Sequence, residues 1–153
     1  MCQVIYSSKA ISGEAGGDLP DIIERSNANN PDLGITGILI VTGDTFVQLL
    51  EGPEDSVAML LDFIRDDPRH VGMEVLLDRR MERREFGDWA MGHHEIAPGS
   101  AHDAAVAEAL DAARRDRSTT AGELLMQTVA DVGRAARRLR EARPASSEMR
   151  GAA

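Results

Sequence analysis

A β-hairpin signal in the first third of the chain limits the folds that are open to it. Residues 35–41 (ITGILIV) and 45–50 (TFVQLL) are rich in β-branched and aliphatic side chains, and Gly43-Asp44 separates them. This combination is typical of two antiparallel strands joined by a short turn. Three further segments have the composition of strands, namely 2–8, 73–78 and 88–96. The hairpin is therefore predicted to belong to a five-stranded sheet.

Two segments between these strands have the apolar spacing of amphipathic helices. Residues 18–30 begin with Asp18, a suitable N-cap, and Pro20 suits the first turn. In residues 54–67, the side chains expected to face inward are Val57, Leu60, Leu61 and Ile64. The resulting order, βαββαββ, predicts an α+β, ferredoxin-like fold in which a mixed sheet carries two helices on one face.

The opposite face of such a sheet needs a cover, and the C-terminal part of the chain can supply it. Helices are predicted over 101–115 and 120–143, and the second opens with a capping box, Thr120-x-x-Glu123. An apolar stripe along this second helix consists of Leu125, Val129, Val132, Ala136 and Leu139. Such a stripe favours packing on a sheet or on a partner helix. We therefore expect a domain over 1–96 and a helical extension over 97–153, which ends in a frayed tail from Arg143.

The distribution of charge and of apolar residues excludes some functions. Residues 1–96 carry 8 Lys and Arg against 18 Asp and Glu, a net charge of −10, whereas residues 97–153 carry 9 against 8, a net charge of +1. An acidic body repels phosphate backbones, so direct nucleic-acid binding is not expected. No segment approaches the ~20 apolar residues of a membrane span. The one cysteine, Cys2, rules out an internal disulfide, and we expect a cytoplasmic protein.

Two adjacent histidines, His93 and His94, lie in the predicted strand 88–96. Because neighbouring residues of a strand point to opposite faces, these two side chains do not converge on one ion. We therefore predict a surface-exposed pair and no metal site.

One polar side chain in the strand 45–50 is predicted to be buried. Because side chains alternate along a strand, Phe46, Gln48 and Leu50 share one face, while Val47 and Leu49 share the other. An unpaired amide in an apolar layer costs about 2–7 kcal/mol, so the side chain of Gln48 needs hydrogen-bond partners.

The residues around Gln48 resemble those of a known family, the BLUF domains, which are blue-light sensors that bind flavin. The resemblance covers about residues 2–95, and its motifs are VIYSS, NNPDLGITGILI, FVQLLEGPE, IRDDPRH and RREFGDWAMG. It implies that Tyr6 and Gln48 are hydrogen-bonded to each other near the centre of the sheet, and that Gln48 also contacts the flavin. The partners that Gln48 needs are then a phenol on one side and an isoalloxazine ring on the other.

The resemblance also implies a role for ten further residues. Ile22 and Ile64 match two aliphatic side chains that enclose the flavin ring, Asn30 matches an amide that pairs with its pyrimidine edge, and Asn29 matches the polar position beside it. The positions near the ribityl chain and phosphate correspond to Asp67, Arg69 and His70. Trp89 and Met91 match a mobile pair on the last strand of the domain, and Ser8 joins Tyr6 among the photoactive residues.

Each of these assignments also has a purely structural interpretation. A buried Tyr that is hydrogen-bonded to a Gln is common in protein cores. Asn29 and Asn30, which precede Pro31, are also typical of a helix C-cap and turn. Trp89 and Met91 are also compatible with ordinary core packing. The joint pattern, rather than any single residue, favours the resemblance.

The function that the resemblance implies is light sensing without net chemistry, so the chain is not expected to be an enzyme. Light would drive an electron and a proton from Tyr6 to the flavin, and a rearranged Gln48 would leave a red-shifted absorption band. FAD is the usual flavin of the family, but the sequence has no dinucleotide fingerprint that would distinguish FAD from FMN or riboflavin. The signal would pass through the C-terminal helices to an unidentified protein partner or through a homo-oligomer.

Two alternative functions belong to different classes. An acylphosphatase-like hydrolase needs an anion-binding loop with an arginine, and the loop after the first strand, SSKAISGEAGG, holds Lys9 but no arginine. A ferredoxin-like domain can also serve only as a structural dimerisation module. Bound flavin in the purified protein would favour the light sensor over both.

Overall fold

The computed structural model describes residues 1–143. Within this range the elements are β1 (Cys2–Ala10), α1 (Ala15–Leu33), β2 (Thr36–Thr42), β3 (Thr45–Gly52), α2 (Glu54–Arg65), β4 (His70–Arg80), β5 (Gly92–Glu95), α3 (Ala101–Asp116) and α4 (Thr119–Glu141). The predicted frayed tail lies outside the described residues, apart from Arg143. None of the helices within residues 1–143 combines the length and the apolar composition needed to cross a membrane.

The five strands form one mixed sheet in the order β4-β1-β3-β2-β5. Neighbouring strands are antiparallel, except that β5 lies parallel to β2. The predicted βαββαββ order and the ferredoxin-like fold are therefore confirmed. In the pairing of β1 with β3, Tyr6 lies directly opposite Gln48, so the register of the two central strands brings these residues together.

Helices cover both faces of the sheet, and strand alternation divides the core into two layers. On the face covered by α1 and α2, the buried strand residues include Val4, Tyr6, Phe46 and Leu50. On the face covered by α3 and α4, they include Ile5, Ile38, Ile40, Val47 and Leu49. The C-terminal helices thus supply the expected cover and share a core with the sheet.

Helix α1 begins three residues earlier than predicted. Its N-cap is Glu14, and Asp18 lies inside the first turn. Gly16 and Gly17 are weak helix formers, but buried Ala15 anchors the start of the helix through a 3.1 Å hydrogen bond from its amide to the carbonyl of Gly43. A tertiary contact therefore overrides the local preference.

Strand β5 is much shorter than the predicted 88–96. Only Gly92–Glu95 pair with β2, because the preceding backbone forms a turn in which the amide of Trp89 donates to the carbonyl of Phe86 at 3.0 Å. Trp89 and Met91 consequently lie in the β4–β5 segment, residues 81–91, rather than on the strand. The placement of this pair on the last strand was wrong.

Two further local predictions were wrong, and one residue of the predicted apolar stripe is exposed. Helix α4 is capped by Ser118, whose hydroxyl accepts a 3.1 Å hydrogen bond from the amide of Ala121, so Thr120 is not the cap. Leu139 is 69% exposed, whereas the other four residues of the stripe are buried. His93 and His94 are half-buried rather than exposed, and this burial lowers the pKa of both imidazoles.

Candidate functional site

A cavity of about 940 Å³ lies between α1 and α2 above the sheet. Its volume is within the range of small-molecule sites. Ten of the twelve predicted site residues line it: Tyr6, Ser8, Ile22, Asn29, Asn30, Gln48, Ile64, Asp67, Arg69 and His70. The structure therefore gathers residues from four separate parts of the sequence around one space.

The floor of the cavity holds the Tyr6 and Gln48 pair. The Tyr6 hydroxyl donates to Gln48 Oε1, and Gln48 Nε2 lies 3.4 Å from the sulfur of Met91. Burial, together with the nearby Asp67 carboxylate, raises the pKa of Tyr6 well above its usual value, so the phenol keeps its proton and acts as a donor. Thioether sulfur is a weak acceptor, so the amide nitrogen of Gln48 retains hydrogen-bonding capacity towards the cavity.

The walls of the cavity come from one face of each helix. On α1, Ile22, Ser26 and Asn30 follow one another at intervals of four, which places them on one side of the helix. On α2, Leu60 and Ile64 have the same relation. Ser26 was not assigned to the site from the sequence, although its spacing of four from Ile22 and from Asn30 was the available signal.

Asn30 connects the cavity wall to the β4–β5 segment. Its side chain is buried, and its Nδ2 donates to the carbonyl of Ala90 at 3.3 Å. Asn29 is exposed and lines the rim of the cavity. The helix continues past both residues to Leu33 and ends at Gly34, which has a left-handed backbone with φ of 69°. The alternative interpretation of Asn29 and Asn30 as a C-cap is therefore wrong.

Ser8 contributes an unpaired polar atom to the cavity. Its hydroxyl is buried and has no hydrogen-bond partner within residues 1–143. Buried hydroxyl groups are nearly always paired with protein, water or a ligand. Since Ser8 lies two residues beyond Tyr6 on the same face of β1 and lines the cavity, its hydroxyl is available to a bound molecule.

Charged groups from α1 and from the loop between α2 and β4 lie at the mouth of the cavity. Asp67 and Arg69 are paired at 2.6 Å, and Arg69 reaches across to Asp21 of α1, also at 2.6 Å. The Arg69 guanidinium lowers the pKa of the Asp67 carboxyl, so this pair stays ionised at neutral pH. His70 Nε2 is hydrogen-bonded to the carbonyl of Ile64, and its ring meets the edge of Phe46 at a centroid distance of 6.4 Å.

The two remaining predicted residues, Trp89 and Met91, lie on opposite sides of the sheet layer. Met91 is buried in the layer of Tyr6 and contacts Gln48. Trp89 packs on the other side, against Phe86 at a centroid distance of 5.1 Å, in the layer covered by α4. Met91 therefore lies in the core layer on the cavity side of the sheet without lining the cavity, and Trp89 lies in the other layer.

The residues of the cavity fit a flavin ring. Apolar side chains on both helices can enclose a flat ring, and Asn30 and Gln48 can form hydrogen bonds with its polar edge. The unpaired Ser8 hydroxyl can form a further hydrogen bond with a bound ligand. A metal ion is a weaker candidate, because no group of three or more His, Cys, Asp or Glu side chains in the described part of the chain is arranged to hold one.

Comparison with known proteins agrees with this geometry. Residues 1–92 match the family described as "BLUF: Sensors of blue-light using FAD". The chain belongs to the BLUF family. The resemblance found in the sequence is therefore confirmed. Neither the hydrolase nor the dimerisation module receives support.

Curated BLUF relatives share only the N-terminal part of this chain. The "Blue light- and temperature-regulated antirepressor BluF" of Escherichia coli (strain K12) is 36% identical over 88 residues, which is 58% of this chain and 22% of that protein. The "Photoactivated adenylate cyclase subunit beta" of Euglena longa is 33% identical over 87 residues, which is 56% of this chain and 10% of that protein. The chain thus spans between a tenth and a quarter of the length of these relatives.

Solved BLUF structures resemble a larger part of the chain. "BlrB - a BLUF protein, dark state structure" is 30% identical with a TM-score of 0.63, and the match covers 86% of this chain and 96% of that one. The ground state of BlsA is 26% identical with a TM-score of 0.58, over 63% of this chain and 65% of the other. The similarity to BlrB extends beyond the sheet into the C-terminal helices.

Proposed function

We propose that this chain senses blue light through a flavin held between α1 and α2. The observation that carries the proposal is the Tyr6 and Gln48 pair, which lies in register on two central strands and faces the cavity. Ile22 and Ile64 would enclose the ring, and Asn30 would pair with its edge. Asn29 would flank that contact, and Asp67, Arg69 and His70 would lie near the ribityl chain and phosphate.

Bound flavin supplies the blue-light absorption and an acceptor for an electron. Tyr6 Oη holds a proton and presents it to Gln48 Oε1. A half-turn of the Gln48 amide would exchange its oxygen and nitrogen, so that Nε2 faces Tyr6 and Oε1 faces Met91. Gln48 would then present its oxygen instead of its nitrogen to the cavity, so it would accept a hydrogen bond there instead of donating one. The electron and proton transfer from Tyr6 that the family resemblance implies stays a prediction.

We further propose FAD as the natural flavin, which the family description supports. The test is an absorption spectrum of the purified protein, before and after blue light, followed by chromatography of the released chromophore. A flavin spectrum whose visible band shifts to the red on illumination and recovers in the dark is expected. Protein that shows no bound chromophore after incubation with FAD, FMN and riboflavin would contradict the proposal.

Asn30→Ala is expected to weaken flavin binding by roughly tenfold, which corresponds to the loss of one or two buried hydrogen bonds. The measurement is a titration of the apoprotein with FAD. Asn27→Ala is the matched control, because Asn27 lies on the same helix but is exposed and outside the cavity. Equal affinities for the two variants would show that Asn30 does not bind the flavin.

We propose that residues 1–96 form the flavin-binding unit and that 97–153 carry the output. Helices α3 and α4 share a core with the sheet face opposite the cavity, where Leu125 and Val129 are fully buried. A change at Gln48 that altered the sheet would therefore alter this packing. A protein partner or a second copy of the chain would receive the signal. The expected cytoplasmic location and the absence of nucleic-acid and membrane partners stay predictions.

Light is expected to raise amide hydrogen exchange in residues 101–143, because loosened packing lowers the free energy of local opening. The measurement compares exchange by mass spectrometry in the dark and under continuous blue light. Gln48→Ala serves as the control, since we expect it to bind flavin without switching. Equal exchange in both states of a wild-type protein that does form the red-shifted band would show that these helices do not carry the signal.

A further inference from the structure

The β4–β5 segment is held against α4 by two similar groups of side chains. In the first, Arg134 forms a 2.7 Å ion pair with Glu85, and its guanidinium lies 5.6 Å from the ring centroid of Phe86. An arginine over an aromatic face is attracted by the negative charge density of the ring. Arg134 therefore binds two consecutive residues of the segment at once.

The second group repeats this arrangement three residues further along both elements. Arg137 forms a 2.9 Å ion pair with Asp88, and its guanidinium lies 4.8 Å from the ring centroid of Trp89. Glu141, one turn further along α4, holds the same guanidinium through its Nε at 3.1 Å. We call these two groups the arginine clamps.

The spacing of the arginine clamps has a local cause. Residues three apart lie on the same side of a helix, which places Arg134 and Arg137 together on α4. In the β4–β5 segment, the turn closed between Phe86 and Trp89 brings residues three apart to one side as well. The spacing of the two arginines on α4 therefore equals the spacing of their partners in the β4–β5 segment.

A glycine makes room for the ring of Trp89 at this position. A Cβ atom at Gly92 would lie 2.1 Å from the Trp89 ring. The slot for Trp89 on the α4 side thus depends on the absence of a side chain at Gly92 as well as on the arginine. This is a second observation, independent of the ion pairs, that Trp89 is docked specifically.

We propose that Arg134 and Arg137 are positioning residues that hold Trp89 on the α4 side and thereby keep Met91 in contact with Gln48. Trp89 and Met91 are separated by one residue and occupy opposite layers. If Trp89 moved out of its slot, the backbone between them would therefore move Met91 away from its 3.4 Å contact with Gln48 Nε2. Helix α4 is then coupled to the cavity through the β4–β5 segment, and the coupling acts in both directions.

The role of the contact between Met91 and Gln48 in light sensing rests on the proposed function, but the experiment that tests the contact needs no light response. Trp89 is the only tryptophan in the chain, so the tryptophan emission maximum and its quenching by acrylamide report on this residue alone. The ε-methyl resonance of Met91, assigned with Met91→Leu in protein labelled with [13C]methyl-methionine, reports on the contact with Gln48. Both readouts are recorded on the full chain in the dark, without FAD and with FAD.

We expect Arg137→Gln to shift the equilibrium from docked to undocked Trp89 by roughly tenfold, since it removes an exposed ion pair and a cation–π contact together. The emission maximum should move to the red, acrylamide quenching should increase, and the Met91 resonance should shift. Arg134→Gln combined with Arg137→Gln should enlarge both effects, and Arg137→Lys should restore part of them. Gly92→Ala should act in the same way by filling the slot.

Arg115→Gln is the matched control, because it removes the same charge from α3, where the side chain contacts only the carbonyl of Asp111 among residues 1–143. It should leave both readouts unchanged. Unchanged tryptophan emission in the double variant would overturn the docking role of the clamps. Increased exposure of Trp89 with an unchanged Met91 resonance would overturn the coupling to Gln48. A wild-type protein without a light response would contradict the proposed function. The tryptophan emission and the Met91 resonance would still decide whether the clamps dock Trp89 and whether Trp89 is coupled to Gln48.

Discussion

Gln48→Ala is expected to abolish the light-induced red shift of the flavin absorption band while leaving the flavin bound. Gln48 is 3% exposed and is the only residue observed to hydrogen-bond both Tyr6 and Met91 in the described part of the chain. Without its amide, the hydrogen bond that changes between the two states does not exist. The walls contributed by Ile22, Ile64 and Asn30 remain, so the ring stays in place.

Tyr6→Phe is expected to have the same effect, because it removes the proton donor of the pair without changing the shape of the floor. The measurement is a light-minus-dark difference spectrum of each variant after reconstitution with FAD. Gln127→Ala is the matched control, since Gln127 is an exposed glutamine on α4 that pairs only with Asp131 in the described structure. A normal red shift in either site variant would show that the switching pair is assigned to the wrong residues.

Glu51→Ala is expected to destabilise the fold by about 3–5 kcal/mol, because it leaves several buried donors unpaired. The Glu51 carboxylate is fully buried on the face of α3 and α4. It accepts hydrogen bonds from Gln3 Nε2 at 2.8 Å and from the backbone amides of Glu85 and Phe86 at 2.9 and 3.0 Å. The same carboxylate thus holds the β4–β5 segment to the sheet, opposite the arginine clamps.

The measurement is urea unfolding of the full chain, with thermal unfolding as a second probe, where a decrease in Tm of roughly 10 °C is expected. Glu54→Ala is the control, because Glu54 forms an exposed ion pair with Arg80 whose loss should cost less than about 1 kcal/mol. Glu51→Gln keeps one acceptor oxygen and should fall between the two. A free energy of unfolding for Glu51→Ala equal to that of the control would show that the network does not stabilise the fold.

The importance of Glu51 could have been found in the sequence but was missed. Strand alternation places residue 51 on the same face as Val47 and Leu49, and a carboxylate there needs partners for the same reason as Gln48 does on the other face. Its partners could not have been predicted. Gln3 lies 48 residues away, and the amides of Glu85 and Phe86 belong to a segment without a regular pattern.

The features that could be predicted from the sequence depend on local periodicity and on the family motifs. Alternation along β1 groups Tyr6 with Val4, and alternation along β3 groups Gln48 with Phe46 and Leu50. Intervals of three and four assign Ile22 and Ile64 to the inner faces of their helices. These relations hold within a few residues, so no knowledge of distant contacts was needed. The motifs then placed ten of twelve site residues around one cavity.

The features that required the structure depend on contacts between distant segments. The start of α1 at Ala15 follows from its hydrogen bond to Gly43, which outweighs the poor helix propensity of Gly16 and Gly17. The β4–β5 segment does not extend β5, because it is held by Glu51 on one side and by the arginine clamps on the other, and only the carbonyl of Trp89 accepts a 3.1 Å hydrogen bond from Gly37 of β2. Trp89 lies beside α4 and Met91 beside Gln48 because the backbone bends at Ala90 instead of continuing β5. Two residues that a regular strand would point to one face therefore lie in opposite layers.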